Sequence, residues 1–273
     1  MEKKITPKSL VLGLLQASGN KAIPIKGLVL AGEIFGFTGN TIRVTMTRLV
    51  REGTIESNER GLYCLSDKNT LFSRFIESWR DGEGRLKDWN GGWVCCMMLK
   101  RTAKRKPETQ RALDFSGFKE GLPGLWVRPD NLTVGIRRME ALLVHFGKLE
   151  NKEMFVARDF SDKQTEQWMN YLWPVDDILE RQQAFLLKME KSAERIEKIP
   201  LEQALIESCL MGREAIHLLI TDPLLPEEIM DKTHRVALTK AMSEYDELGK
   251  KVWSKGIQEI QIDQSPALLH LVS

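Results

Sequence analysis

The stretch GNTIRVTMTRLVREGTI, residues 39–55, decides how the N-terminal part of the chain is read. Ile42, Met46, Leu49 and Val50 recur at helical spacing and predict one buried face. Asn40 is positioned to cap that helix, which runs over Thr41–Glu52 and stops at Gly53. The opposite face carries Thr41, Arg43, Thr45, Thr47, Arg48 and Arg51, with no acid before Glu52. An α-helix fits the major groove of DNA. Arginine and threonine there reach base edges and phosphates with no negative charge to repel the backbone.

Working outward, Leu10, Val11, Leu14 and Leu15 predict a helix over residues 9–16, and the apolar stretch Ile25–Phe35 predicts a second. After the basic helix, TIES (54–57) and LYCL (62–65) read as two short strands around the turn Asn58-Glu59-Arg60-Gly61, with Arg60 near its tip. Helix, turn, basic helix and two-stranded wing is the order of a winged helix-turn-helix, here over residues 1–70. The candidate DNA-binding residues are therefore Thr41, Arg43, Thr45, Thr47, Arg48, Arg51 and Arg60. A solvated basic helix on a protein–protein adaptor is the alternative for the same pattern.

Charge supports a nucleic-acid partner. Residues 1–160 hold 27 Lys and Arg against 18 Asp and Glu, whereas residues 161–273 hold 13 against 20. The net charge of +2 hides this asymmetry, and a positive half is what a phosphate backbone attracts. With 42% hydrophobic and 29% charged residues and a mean hydropathy of −0.29, the chain is no disordered tail and no membrane protein. Its apolar runs fall short of the roughly 18–20 residues that span a bilayer. MEKKITPKSL at the start lacks the apolar core of a signal peptide, so a cytoplasmic protein is expected.

Chemistry-bearing motifs are missing. Cys64, Cys95, Cys96 and Cys209 make no C-x-x-C, and on a strand Cys95 and Cys96 point to opposite faces as small buried hydrophobes. His145, His217, His234 and His270 are scattered, and neither G-x-x-x-x-G-K-[ST] nor G-x-S-x-G occurs. No catalytic residue, metal ligand or cofactor site is assigned.

In the middle of the chain, GGWVCCMML reads as a strand, Thr109–Phe115 closes a helix, GLWVRP is a second strand, Ile136–Leu143 a second helix and Met154–Arg158 a further strand. That alternation suggests a ferredoxin-like α/β domain over residues 71–160, with a leading linker. From Lys163 the chain turns helical, with an apolar stripe of Trp168, Leu172 and Trp173. Pro174 and Pro200 stand at helix starts, and a last helix covers Thr233–Lys255. Residues 161–273 are thus expected to form an all-helical, acidic domain for association or ligand sensing, and the fold class is α+β.

These segments resemble the PaaX-like family, the phenylacetate-catabolism repressors. The resemblance begins with GNTIRVTMTRLVREGTI and RGLYCLS. It continues at Gly117, Phe118, Pro123, Gly124, Trp126, Arg128 and Pro129 in ALDFSGFKEGLPGLWVRPDNL, and at Asp222, Pro223, Leu225 and Pro226 in TDPLLPEEIM. No Trp-Arg-Arg precedes that last motif and no Trp-Pro-Gly follows it. The resemblance implies a Cas2-like shape for the middle domain, and a homodimeric repressor of a catabolic operon that binds double-stranded operator DNA. It also implies release by a small-molecule effector, in the family an aromatic acyl-CoA. The Cas2-like shape raises a further alternative, a metal-dependent nucleic-acid-processing enzyme. Such an enzyme needs an acid at the end of its first strand, where this chain has Leu99-Lys100-Arg101 followed by Lys104, Arg105 and Lys106. The nearest acids, Asp88 and Glu108, flank that strand, so the chain is read as a non-enzyme.

Overall fold

The computed structural model describes residues 5–18, 21–58, 61–66, 74–99 and 106–261. These residues form an α+β structure with two antiparallel sheets. By their packing, Met1–Glu77, Lys188–Glu214 and Ala241–Ser273 make one unit, and Ser78–Leu187 with Ala215–Lys240 make the other.

In the first unit, α1 (Pro7–Ala17) opens on a capping box: Ser9 N donates to Thr6 Oγ1 at 3.1 Å, and Thr6 N donates to Ser9 Oγ at 2.9 Å. It is followed by β1 (Ile23–Pro24), α2 (Ile25–Ile34), α3 (Gly39–Arg51), β2 (Ile55–Ser57) and β3 (Leu62–Leu65), with strand order β1-β3-β2. The helices enclose a core of Leu10, Val11, Leu15, Leu28, Ile42, Met46 and Leu49, closed by Ile23 and Ile55 from the strands. At Gly32 of α2 a Cβ would lie 2.4 Å from Ile42 Cγ1, so only glycine lets α2 and α3 approach this closely. The N-cap of α3 is Thr38 rather than Asn40. Thr38 is extended and its hydroxyl accepts from Thr41 N at 3.2 Å, which starts the helix one residue before Asn40. The two-residue β1 was not expected from the sequence; it exists through its pairing with Leu62 and Tyr63 of β3.

In the second unit the chain runs β4 (Trp93–Met98), α4 (Pro107–Phe115), β5 (Lys119–Leu122), β6 (Leu125–Pro129), α5 (Ile136–Gly147) and β7 (Lys152–Ala157). All neighbours are antiparallel and the order is β5-β6-β4-β7. Strand β4 alternates between two cores, as its residues on successive positions must. Val94 and Cys96 pack with Leu113, Phe118, Met139 and Leu143, on the side of α4 and α5. Trp93 and Cys95 pack on the other side with Val127, Trp168, Trp173 and Leu225. Trp168 belongs to α6 (Asp162–Tyr171). The Trp93 ring stacks on Trp173 at 6.2 Å and meets Trp168 and Trp89 edge-on at 5.1 and 5.4 Å, favoured geometries for aromatic pairs. Strand β5, KEGL, was not read from the sequence. It bulges between Glu120 and Leu122 and joins β6 through the turn at Pro123-Gly124, where Gly124 adopts φ +83°.

Three long helices follow: α7 (Val175–Arg195), α8 (Leu201–Thr221) and α9 (Thr233–Gln261). Their residues divide between the two units at Leu187/Lys188, Glu214/Ala215 and Lys240/Ala241. Within the first unit, Cys209 of α8 and Trp253 of α9 pack against the N-terminal core. Trp253 Nε1 donates to Ser208 Oγ at 3.2 Å, and the hydroxyls of Ser192 and Tyr245 lie 2.7 Å apart. Among the described residues, no helix is long and apolar enough to cross a membrane.

Candidate functional site

The exposed face of α3 is set by helix geometry. At about 100° per residue, Met46 and Leu49 fall within about 40° of Ile42. All three are buried. Thr45 lies about 60° from Ile42 and Val50 about 80° on the other side. The structure accordingly corrects the expected faces: Thr45 is 8% exposed, whereas Val50 is 40% exposed. Thr45 satisfies its buried hydroxyl by donating to Thr41 O at 2.8 Å, as a mid-helix threonine does.

Thr41, Arg43, Thr47, Arg48 and Arg51 are exposed, as expected. Thr47 donates to Arg43 O at 3.0 Å, and the Thr41 hydroxyl lies 2.8 Å from that of Thr38. Arg48 Nε stands 3.5 Å from Glu52 Oε1, while Lys8 Nζ donates to Glu52 Oε2 at 2.8 Å. That ammonium, with Arg48 and Arg51 close by, holds the Glu52 carboxyl below its usual range. Glu52, beside this face, is therefore ionised and partly neutralised by Lys8. Sequence reading missed Val44, which is 61% exposed in the middle of the basic face. Its position about 200° from Ile42 was the available signal.

Near the β2–β3 connection, Asn58 Oδ1 accepts from Leu62 N at 3.0 Å and Gly61 takes φ +70°. Arg60 lies outside the described residues, as do Lys100, Arg101, Lys104 and Arg105 of the basic segment after β4. Asp88 is exposed and Glu108 is half-buried. Among the described residues, no group of three His, Cys, Asp or Glu could hold a metal ion. Burial pushes the thiols of Cys95, Cys96 and Cys209 up to about 11, so at neutral pH they are not nucleophilic thiolates.

The second unit gathers the two other motifs quoted above. Arg128 of β6 is 2% exposed and wholly engaged: Nη1 donates to Ser116 O at 2.6 Å, Nη2 to Asn131 Oδ1 at 3.1 Å and to Pro223 O at 3.4 Å, and Nε to Pro129 O at 3.2 Å. Burial lowers its guanidinium to about 10, which still leaves it charged at neutral pH. Asn131 Nδ2 donates to Leu224 O at 2.8 Å, in a turn where Leu224 takes φ +52°. Gly117 has φ +73°, and a Cβ there would lie 2.8 Å from Pro223 O. Trp173 Nε1 donates to Gly117 O at 3.2 Å. Asp222 is buried. Its carboxylate accepts from Leu224 N and Gln182 Nε2, both at 2.6 Å, and lies 3.8 Å from Arg235 Nη1. Desolvation raises its carboxyl, opposed chiefly by the Arg235 charge. Arg235 in turn donates to Glu83 from Nε at 2.9 Å and from Nη2 at 3.2 Å. The segment Asp222–Pro226 is thus clasped by Arg128, Asn131, Gln182 and Arg235, a network that the sequence offered as separate motifs.

A three-helix head with a small antiparallel sheet and one basic, solvent-facing helix is the class of module that the first seventy residues define. Residues 6–69 match the family model described as PaaX-like protein. No curated protein matches the chain. Among solved structures, the uncharacterized protein Rv0674 from Mycobacterium tuberculosis is similar with a TM-score of 0.60 and 22% sequence identity. That similarity extends over 90% of this chain and 97% of the other, and it is a likeness of fold.

Proposed function

We propose that this chain is a DNA-binding transcriptional regulator: a cytoplasmic homodimeric repressor of a catabolic operon, released by a small-molecule effector. The observation that carries the reading is the exposed α3 face, with three arginines and two threonines on a helix of a PaaX-like segment. In this reading residues 1–70 are a winged helix-turn-helix head whose α3 enters the major groove. Thr41, Arg43, Thr45, Thr47, Arg48 and Arg51 line or support the recognition face, and Arg60 acts from the wing. Residues 71–160 act as a ferredoxin-like domain, a reading supported by the β-α-β-β-α-β order and the all-antiparallel pairing β5-β6-β4-β7. Residues 161–273 act as the helical ligand-sensing and association domain. Two heads in a dimer address paired half-sites, and an effector that binds the two head arrangements unequally shifts the population off DNA.

The test is fluorescence anisotropy of the purified full chain on the DNA upstream of its own gene, against scrambled DNA of equal length. Specific binding at physiological salt, lost in the Arg43→Ala/Arg48→Ala double variant with an unchanged circular dichroism spectrum, is the expected result. Equal, weak affinity for both DNAs would favour the adaptor reading. Mg²⁺-dependent cleavage of the probe, abolished by changing Asp88 or Glu108, would favour the nuclease.

A further inference from the structure

The second unit holds an open cleft of about 240 Å³ beside the clasped Asp222–Pro226 segment. Its apolar lining is Phe115 at the end of α4, Trp173 and Pro174 at the α6–α7 corner, Ile178 of α7 and Leu218 of α8; the carboxylates of Asp114 and the buried Asp222 also line it. Two exposed arginines stand at the same cleft, Arg111 on α4 and Arg181 on α7. Each spends Nε on a backbone carbonyl, Pro107 O at 3.2 Å and Asp177 O at 2.9 Å. Neither has a carboxylate partner among the described residues, unlike Lys119, whose Nζ lies 3.1 Å from Asp114 Oδ1.

Gln182 completes the cleft. It is 3% exposed, its Nε2 donates to Asp222 Oδ2 at 2.6 Å, and its Oε1 is buried with no hydrogen-bond partner among the described residues. With Nε2 on Asp222 Oδ2, the amide leaves Oε1 on the unpartnered side. A buried carbonyl without a donor is a costly arrangement, and such groups call for a missing partner.

We infer that this cleft binds a small organic anion that carries a hydrogen-bond donor. The carboxylate or phosphate group lies against the free guanidinium nitrogens of Arg111 and Arg181. The apolar body covers Phe115, Trp173 and Ile178, and a hydroxyl or amine donates to Gln182 Oε1. As the effector site of a regulator, the cleft rests on the function proposed above; as a binding site it does not. Helices α7 and α8 both line it and both continue into residues 188–214, which pack with the N-terminal head.

The test is isothermal titration of the full chain with five probes: 3- and 4-hydroxybenzoate, benzoate, 4-hydroxybenzyl alcohol and 4-hydroxyphenyl phosphate. At least one hydroxybenzoate or the phosphate is expected to bind, and whichever binds better tells carboxylate from phosphate as the anion. Benzoate, lacking the donor, and the alcohol, lacking the charge, are each expected to bind at least tenfold more weakly. Arg111→Gln/Arg181→Gln, at exposed positions that leave the core intact, should weaken the anions at least tenfold and leave the alcohol unchanged. Gln182→Leu should make hydroxybenzoate and benzoate equal. Absence of binding by every hydroxylated anion, or binding indifferent to the arginine pair, overturns the site. Probe binding that leaves DNA affinity unchanged keeps the site and removes the effector role. Probe binding by a chain that never binds DNA keeps the site and refutes the regulator.

Discussion

At the scale of single residues, the basic face of α3 carries the functional reading. Arg43 and Arg51 project from α3 on either side of Val44 and Thr47, and Arg48 is drawn toward Glu52 at 3.5 Å. Arg43→Ala or Arg51→Ala is expected to cost about 1–3 kcal/mol of DNA affinity where the guanidinium reads a base, and less where it holds a phosphate. Anisotropy titrations on one operator and its single-base variants separate the two, since only a base contact changes sequence preference. Val44 is an apolar side chain suited to a thymine methyl, so Val44→Ala should lower discrimination at one position with little change in salt dependence. Thr38→Ala removes the α3 cap and should lower stability by about 1 kcal/mol, read from denaturant unfolding. The basic face was legible because charge and helical spacing are both written locally. The cap was less so, because Thr38 and Asn40 are both good capping residues and only the backbone at Thr38 decides between them. Gln182 gave no signal at all, since nothing local distinguishes a buried glutamine on a polar-looking helix from a solvated one.

At the scale of elements, the packing of α2 on α3 and the clasp around Asp222 are the two places where small changes should be felt most. Gly32→Ala would push a methyl into Ile42, with Cγ1 and Cδ1 at 2.4 and 2.6 Å. Overpacking of this kind costs about 1–3 kcal/mol, and the loss should appear in an unfolding curve together with weaker DNA binding as α3 shifts. Asp222→Ala would leave Arg235 and the half-buried Arg85 without the carboxylate charge that faces them, and would release Gln182 Nε2 and Leu224 N. Removing one partner from such a buried set costs about 3–5 kcal/mol, again measured by denaturant unfolding. An Asp222→Ala chain as stable as the parent would show that the clasp is incidental. Elements with their own periodicity or apolar run, such as α1, α3, β4 and α7, were readable from sequence. Strands β1 and β5 were not, because a two-residue IP and a polar KEGL become strands only by pairing with β3 and β6. The meeting of the GLWVRP and TDPLLP motifs was equally hidden, since Arg128 and Pro223 are 95 residues apart.

At the scale of the whole molecule, the charge distribution makes the sharpest claim. An excess of nine positive charges over residues 1–160 faces an excess of seven negative charges over residues 161–273, so the near-neutral total says little about what the head experiences. Sequence periodicity located the long helices but not which of their turns belong with the head. Cys209 and Trp253 reach that core only because distant turns of α8 and α9 pack on it. Acidic residues of those turns therefore belong to the same unit as the basic face, for example Glu207, Glu214 and Glu247. If DNA binding were a response to net charge, their presence would blunt it. In the proposed complex, phosphate contacts by Arg43, Arg48 and Arg51 would act instead within a Debye length of about 10 Å at 0.1 M salt, where local arrangement decides. Each neutralised phosphate releases condensed counterions, so the logarithm of affinity falls with the logarithm of salt at a slope of about 0.9 per contact. For the proposed dimer, with several contacts in each of two heads, affinity is expected to drop by orders of magnitude between about 50 and 200 mM salt. Arg51→Ala should reduce that slope by about one contact per head if Arg51 holds a phosphate. Anisotropy titrations at four salt concentrations check both expectations. An affinity that stays flat over this range would place the basic face of α3 against a protein surface, where few counterions are released, and would favour the adaptor.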